Sequence, residues 1–61
     1  MKEYRLFTTY NDYIINHRNA RKAIQDYGCD NVTITTMTGK FVCSGTRWAD
    51  GTITVTTKEY K

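Results

Sequence analysis

The sequence predicts one small α+β domain spanning residues 1–61, in which a single amphipathic helix packs on a mainly antiparallel sheet in a two-layer β-α-β-β-β arrangement. Three observations predict this fold. Nine of the eleven threonines follow position 32, and several alternate with valine or isoleucine, as in half-buried strands. Apolar residues between positions 10 and 27 recur at helical spacing. Asp50-Gly51 is a strong hairpin-turn dipeptide.

The first strand is predicted over residues 2–8. Tyr4 and Leu6 share one face of this strand, and Arg5 and Phe7 share the other, because side chains alternate along a strand. The alternation therefore predicts a strand with one face toward the core.

A single helix is predicted from Tyr10 to Tyr27. Thr9 is a suitable N-cap, Asp12 in the first turn suits the helix dipole, and Gly28 is a natural stop. The predicted apolar stripe consists of Tyr10, Tyr13, Ile14, His17, Ala20, Ile24 and Tyr27.

Three further strands follow as a meander over residues 32–38, 40–48 and 52–58, with turns at Thr38-Gly39 and Asp50-Gly51. Threonines at 33, 35, 52, 54 and 56 mark the outward face of this meander, because threonine combines β-propensity with tolerance of water.

If each turn is a two-residue loop, the two hairpins place residues of the third strand on the core face that a regular strand would point to opposite faces. The first loop pairs Ile34 with Cys43 and places Phe41 on the same core face. The second pairs Trp48 with Ile53, so that Trp48 closes the core. Since Cys43 and Trp48 have opposite parity, the pattern predicts a bulge at or near Gly45. A regular third strand would instead turn one apolar set outward, toward a dimer or a partner.

Size and composition limit the function classes. A chain of 61 residues buries only about 60% of the surface that its unfolded form exposes, and it is too short for two lobes with a cleft between them. Its net charge is +3. Two cysteines and one histidine do not predict a metal site, and no cofactor is expected. The first residues lack the apolar segment of a signal peptide, and no apolar run is long enough to span a membrane. We therefore expect a cytoplasmic protein with reduced thiols.

The potentially reactive side chains have plainer structural interpretations. His17 has no nucleophile or orienting carboxylate at a recognisable spacing, so we expect a partly buried imidazole bonded to a backbone carbonyl or a tyrosine. Cys43 is expected to be a small core residue, and its separation from Cys29 is unlike that of a redox pair.

The candidate partner-binding residues lie on one flank of the predicted helix and beside the last turn. Arg18, Arg21 and Lys22 form the flank, exposed Ile15 adjoins it, and Arg47 lies next to Thr54 on the threonine face. Arginine is enriched at binding hot spots, and clustered cations bind phosphates. The alternative is a solvated helix edge whose aliphatic stems cover the core.

These features favour a non-enzymatic small regulatory protein that binds and inhibits a host protein or protein complex. The chain has no proline and is rich in Tyr, Thr, Asn, Ile and Lys, which suggests a small bacteriophage or mobile-element gene. The alternative is a nucleic-acid-binding protein that uses the helix flank Arg18/Arg21/Lys22. Either protein is expected to be a monomer or a homodimer that does not bind membranes.

Overall fold

The computed structural model describes residues 2–57 and confirms an α+β fold with one helix on a mainly antiparallel sheet. The sheet has five antiparallel strands in the order β2-β1-β3-β4-β5, and the helix covers one of its faces. The elements are β1 (Tyr4–Thr8), β2 (Asp12–Ile15), α1 (Ala20–Tyr27), β3 (Asn31–Thr36), β4 (Phe41–Arg47) and β5 (Ile53–Thr56). The last residue of the predicted fourth strand, Lys58, lies outside the described residues.

The predicted helix over residues 10–27 is wrong in its first half, where β2 forms a hairpin with β1. The turn is closed by Thr8, whose backbone N–H and side-chain hydroxyl both donate to Asn11 O at 2.9 Å. Tyr13 and Ile15 face the helix while Asp12 and Ile14 face away. Consecutive aromatic and β-branched residues suit this extended pairing better than a helix.

Helix α1 begins ten residues later than predicted because Asn19, not Thr9, is its N-cap. The Asn19 side chain accepts a hydrogen bond from Lys22 N at 3.1 Å. The helix ends at Gly28 as predicted, in a left-handed conformation with φ 65° that lets its N–H donate to Ile24 O at 2.9 Å. Both caps satisfy backbone groups that the helix itself leaves unpaired.

The core lies between α1 and the central strands. Its largest fully buried side chains are Leu6, Ile24 and Ile34, from β1, α1 and β3. The other buried members are Ile15, Ala20, Ala23, Val32 and Cys43. The predicted core role of Cys43 is confirmed, whereas Tyr10 is 90% exposed in the β1–β2 turn.

Both turns of the β3-β4-β5 meander have three-residue loops instead of the predicted two. Trp48 N donates to Thr52 O at 2.8 Å and Gly51 N donates to Trp48 O at 2.9 Å, so the loop is 49–51. The first loop, 37–39, is closed in the same way, because Thr36 N donates to Lys40 O at 2.8 Å and Gly39 N donates to Thr36 O at 2.9 Å. The last residue of each loop is a glycine with φ above 90°, as this loop class requires.

The irregularity in β4 falls at Val42 instead of Gly45. Ile34 pairs with Cys43 as predicted, but the next residue of β3, Thr35, pairs with Phe41. Val42 is therefore the extra residue of a bulge, and Phe41 lies on the face away from the core, contrary to prediction.

Gly45 lies in the regular part of β4, opposite Val32 and Val55. A Cβ at this position would lie 3.1 Å from both Ala20 Cβ and Ile24 Cδ1. The missing side chain thus allows α1 to approach the sheet closely.

Candidate binding surface

The face of the sheet opposite α1 is covered by no element among residues 2–57, and we call it the helix-free face. Strand alternation places threonines and a few large apolar side chains there. Its only charged strand residues are Arg5 and Asp12. The residues on this face are Arg5, Phe7, Asp12, Ile14, Asn31, Thr33, Thr35, Phe41, Ser44, Thr46, Trp48, Thr54 and Thr56.

The centre of the helix-free face is a small cluster around Thr35. Arg5 and Phe41 flank Thr35 as its partners on β1 and β4, and the Thr35 side chain is buried between the two strands. The Arg5 guanidinium lies over the Phe7 ring, 5.6 Å from its centroid. This contact lets an arginine lie on the sheet beside an aromatic ring while the residue remains exposed.

Trp48 and Arg47 have exchanged the faces that the sequence predicts for them. Arg47, not Trp48, pairs with Ile53 on the helix side, because the three-residue loop shifts the register by one. Trp48 lies on the helix-free face, where its indole N–H donates to Thr54 Oγ1 at 3.0 Å. With 56% of its surface exposed, Trp48 is a surface residue.

Arg47 is held by an ion pair at the end of the sheet. Its Nε and Nη2 atoms donate to Asp30 Oδ1 at 3.2 and 2.9 Å, and its backbone N–H donates to Asp30 O at 2.7 Å. Arg47 thus fixes the loop between α1 and β3.

The predicted helix flank is partly engaged within the molecule. Lys22 Nζ contacts Asp26 Oδ2 at 2.8 Å, one turn further along the helix. Arg21 Nη2 donates to Ile53 O at 3.1 Å, which ties the helix to β5. Of the three flank residues, only Arg18 extends an exposed cation with no ionic or hydrogen-bonded side-chain partner in the described structure.

Ile15, predicted as an exposed apolar anchor, is buried with 6% of its surface exposed. It pairs with Tyr4 on the helix side of the sheet. Its neighbour Ile14 is 52% exposed and lies on the helix-free face. Ile15 is buried and Ile14 exposed because β2 is a strand, and a strand turns successive side chains to opposite faces. The signal for this strand in the sequence is the run of aromatic and β-branched residues Tyr13-Ile14-Ile15.

His17 is half-buried, as predicted, but its partner is a backbone N–H instead of a carbonyl. Its Nδ1 atom accepts a hydrogen bond from Asn19 N at 3.1 Å. The imidazole therefore helps to shape the turn that leads into α1.

The two thiols are free, and neither is activated. Burial raises the pKa of both Cys29 and Cys43, so both remain protonated near neutral pH. Cys43 Sγ donates to Arg18 O at 3.4 Å and so joins β4 to the segment before α1. A protonated thiol is a poor nucleophile.

Three cations of the described residues lie at one end of the strands, which we call the basic end and define by Lys2, Arg18 and Lys40. Lys2 and Arg18 line a groove of about 310 Å³ together with Met37, and Glu3 is the anion in this groove. Lys40 adjoins it, because its backbone N–H donates to Thr36 Oγ1 at 3.0 Å.

Within the described part of the chain, the opposite end carries the acidic residues Asp12, Asp30 and Asp50 and one cation, Arg47. Asp50 Oδ1 accepts a hydrogen bond from Thr52 N at 2.9 Å, and this bond lowers the Asp50 pKa. The charges of residues 2–57 are therefore separated along the strands.

Within residues 2–57, no group of three or more His, Cys, Asp or Glu side chains is arranged to hold a metal ion. The same residues include no helix that is long and apolar enough to cross a membrane. Comparison of the chain with protein-family models, with curated proteins and with solved structures found no match.

Proposed function

We propose that this chain is a non-enzymatic binding protein that modulates another protein by contacting it through the helix-free face. The observation that carries the proposal is the pair of unequal sheet faces. One face is covered by α1, and the other presents Phe7, Ile14, Phe41 and Trp48 among threonines. Aromatic residues are enriched in protein interfaces. A sheet holds such side chains in fixed positions, as a binding site requires.

The charge of the helix-free face supports a protein partner over nucleic acid. Non-specific affinity for nucleic acid comes from several cations that neutralise phosphates. Among residues 2–57, the helix-free face has one cation, Arg5, and one anion, Asp12. Uncharged hydroxyls with aromatic and aliphatic side chains instead match the core of a protein interface, where charged residues are depleted.

Nucleic-acid binding through the helix flank has less support. Lys22 is paired with Asp26, and Arg21 bonds a backbone carbonyl of β5. Binding of phosphates there would compete with both contacts.

The test is site-specific photocrosslinking in nuclease-treated lysate of a low-GC bacterium. A photoreactive side chain replaces Ile14 or Trp48 on the helix-free face, or Gln25 on the exposed side of α1 as the matched control. We expect one protein to be crosslinked from positions 14 and 48 in similar yield, with little product from position 25. Purified partner would then measure affinity and change of activity.

Crosslinking from position 25 alone would contradict the proposed surface. Products that form in untreated lysate but not in nuclease-treated lysate would contradict a protein partner. A high yield from position 25 that an Ile14→Thr/Trp48→Thr variant leaves unchanged would move the contact to the helix side.

A further inference from the structure

We propose that the partner contacted by the helix-free face is an acidic protein surface, and that the basic end around Met37 binds its carboxylates. This inference rests on the proposed function and specifies the chemistry of the partner. It is carried by the position of the cations, by their lack of internal partners and by the exposed methionine between them.

The unpaired cations cluster at one end of the molecule. The described chain holds seven Lys and Arg residues against five Asp and Glu. Lys22 and Arg47 form ion pairs, and Arg21 bonds a carbonyl, which leaves four cations with neither an ion pair nor a side-chain hydrogen bond in residues 2–57. These four are Lys2, Arg5, Arg18 and Lys40, and all lie near the junction of the β1 start and the β3–β4 turn.

Local charge at this end favours an acidic ligand. Lys2, Arg18 and Lys40 with Glu3 sum to +2 (three cations less one anion), and Arg5 in the adjacent row makes +3. The opposite end, with three Asp and Arg47, sums to −2. Such separation orients an approaching charged partner and raises the association rate.

Met37 supplies an apolar contact within the basic end. It lies in the β3–β4 loop, is 47% exposed and lines the groove with Lys2 and Arg18. A flexible thioether surrounded by cations suits a protein surface that has an apolar notch edged by carboxylates. A phosphate backbone offers no apolar notch, so protein is the favoured partner.

The basic end continues into the helix-free face. Arg5 belongs to that face and shares a row of the sheet with Phe41, while Lys40 immediately precedes Phe41. One partner can therefore contact the aromatic residues of the face and the cations of the end together.

The experiment is a titration of the ¹⁵N-labelled chain with poly-L-glutamate and, separately, with a single-stranded thymidine oligonucleotide of equal charge. We expect poly-L-glutamate to shift amide resonances of residues around Lys2, Arg18 and Met37–Lys40, and to leave those around Asp30 and Asp50 unchanged. The affinity is expected to fall with added salt, as for exposed charges.

Two variants of equal net charge sharpen the test. Lys2→Gln/Lys40→Gln removes two cations from the basic end, and Gln25→Glu/Ala49→Glu adds two anions at exposed positions elsewhere. We expect the first variant to bind poly-L-glutamate about fivefold more weakly than the parent, and the second to bind within about twofold.

Equal weakening by both variants would overturn the inference, since net charge alone would then govern binding. Shifts centred on Arg21 and Lys22, or no shifts, would also overturn it. Binding of the oligonucleotide at least about tenfold tighter than poly-L-glutamate would assign the basic end to nucleic acid. Crosslinking from positions 14 and 48 reads a different surface, so failure here would leave the proposed protein contact standing with a partner of other chemistry.

Discussion

The indole N–H of Trp48 donates to Thr54 Oγ1 across the helix-free face, at 3.0 Å. This bond holds a large aromatic ring against the sheet while more than half of the residue remains exposed. The ring is thus fixed in place before any partner arrives, which lowers the conformational entropy lost on binding.

Replacement of Trp48 by alanine is expected to cost little stability. The change removes one exposed hydrogen bond and some packing on the sheet, so the free energy of unfolding should fall by about 1 kcal/mol. Urea denaturation measures this value. A loss of about 3 kcal/mol or more would mean that Trp48 is a core residue after all. In the parent protein, acrylamide should quench the single tryptophan efficiently.

Ile14 and Ile15 form a matched pair of adjacent isoleucines on opposite faces. Ile15→Ala should lower the free energy of unfolding by about 2–4 kcal/mol, because it opens a cavity beneath α1. Ile14→Ala should change it by less than about 1 kcal/mol, because the side chain is half exposed. Chemical denaturation of both variants compares them directly. A larger loss for Ile14→Ala than for Ile15→Ala would argue against the β2 strand and for a helix over these residues.

Gly45→Ala is expected to destabilise the fold by about 1–3 kcal/mol, since its Cβ would meet Ala20 Cβ and Ile24 Cδ1 at 3.1 Å. Ile24→Val removes the Cδ1 methyl and alone costs about 1 kcal/mol. The double variant should therefore be more stable than the sum of the single changes predicts, by thermal or urea unfolding. Strict additivity would show that Ile24 does not press on a side chain at position 45.

Asp50 should make the last turn sensitive to acid. Its pKa is lowered in the folded chain by hydrogen bonds from Thr52, so the charged form is favoured by folding. The stability that this charge contributes is present above the unfolded pKa and is lost as pH falls through the lower folded value. Asp50→Asn keeps an acceptor without the charge.

The difference in unfolding free energy between the parent and Asp50→Asn should thus shrink from about pH 6 to about pH 2.5. A difference that stays constant over this range would show that the charge of Asp50 does not stabilise the turn. Thr52→Ser, which keeps the backbone donor, serves as the control.

The sequence predicted the layers of this fold better than its register. The alternating threonines identified β3 and β5, and the left-handed glycine at 28 marked the end of the helix. The loop lengths were missed because two-residue and three-residue hairpin loops both favour a glycine with positive φ at the last position. Asp50-Gly51 therefore predicted the position of the turn but not the length of its loop.

The one extra residue in the β4–β5 loop determines which side chains face the candidate site. With Ala49 inside the loop, Trp48 moves to the helix-free face and Arg47 to the helix side. The second error, at residues 10–19, arose because Tyr13 and Ile14 fit a helical stripe and a strand equally well over so short a run. Only pairing with β1, a tertiary contact, decides between the two.

The short length of α1 should be reflected in the heat capacity of unfolding. Eight residues of helix are about 12 Å long, whereas the seven residues of β4 extend about 23 Å. The apolar surface buried on folding is correspondingly small, so the unfolding heat capacity should lie near or below about 0.8 kcal/mol/K for a chain of this length. A partner that covers Phe7, Phe41 and Trp48 would bury further apolar surface. Its binding enthalpy should therefore become steadily more exothermic as temperature rises.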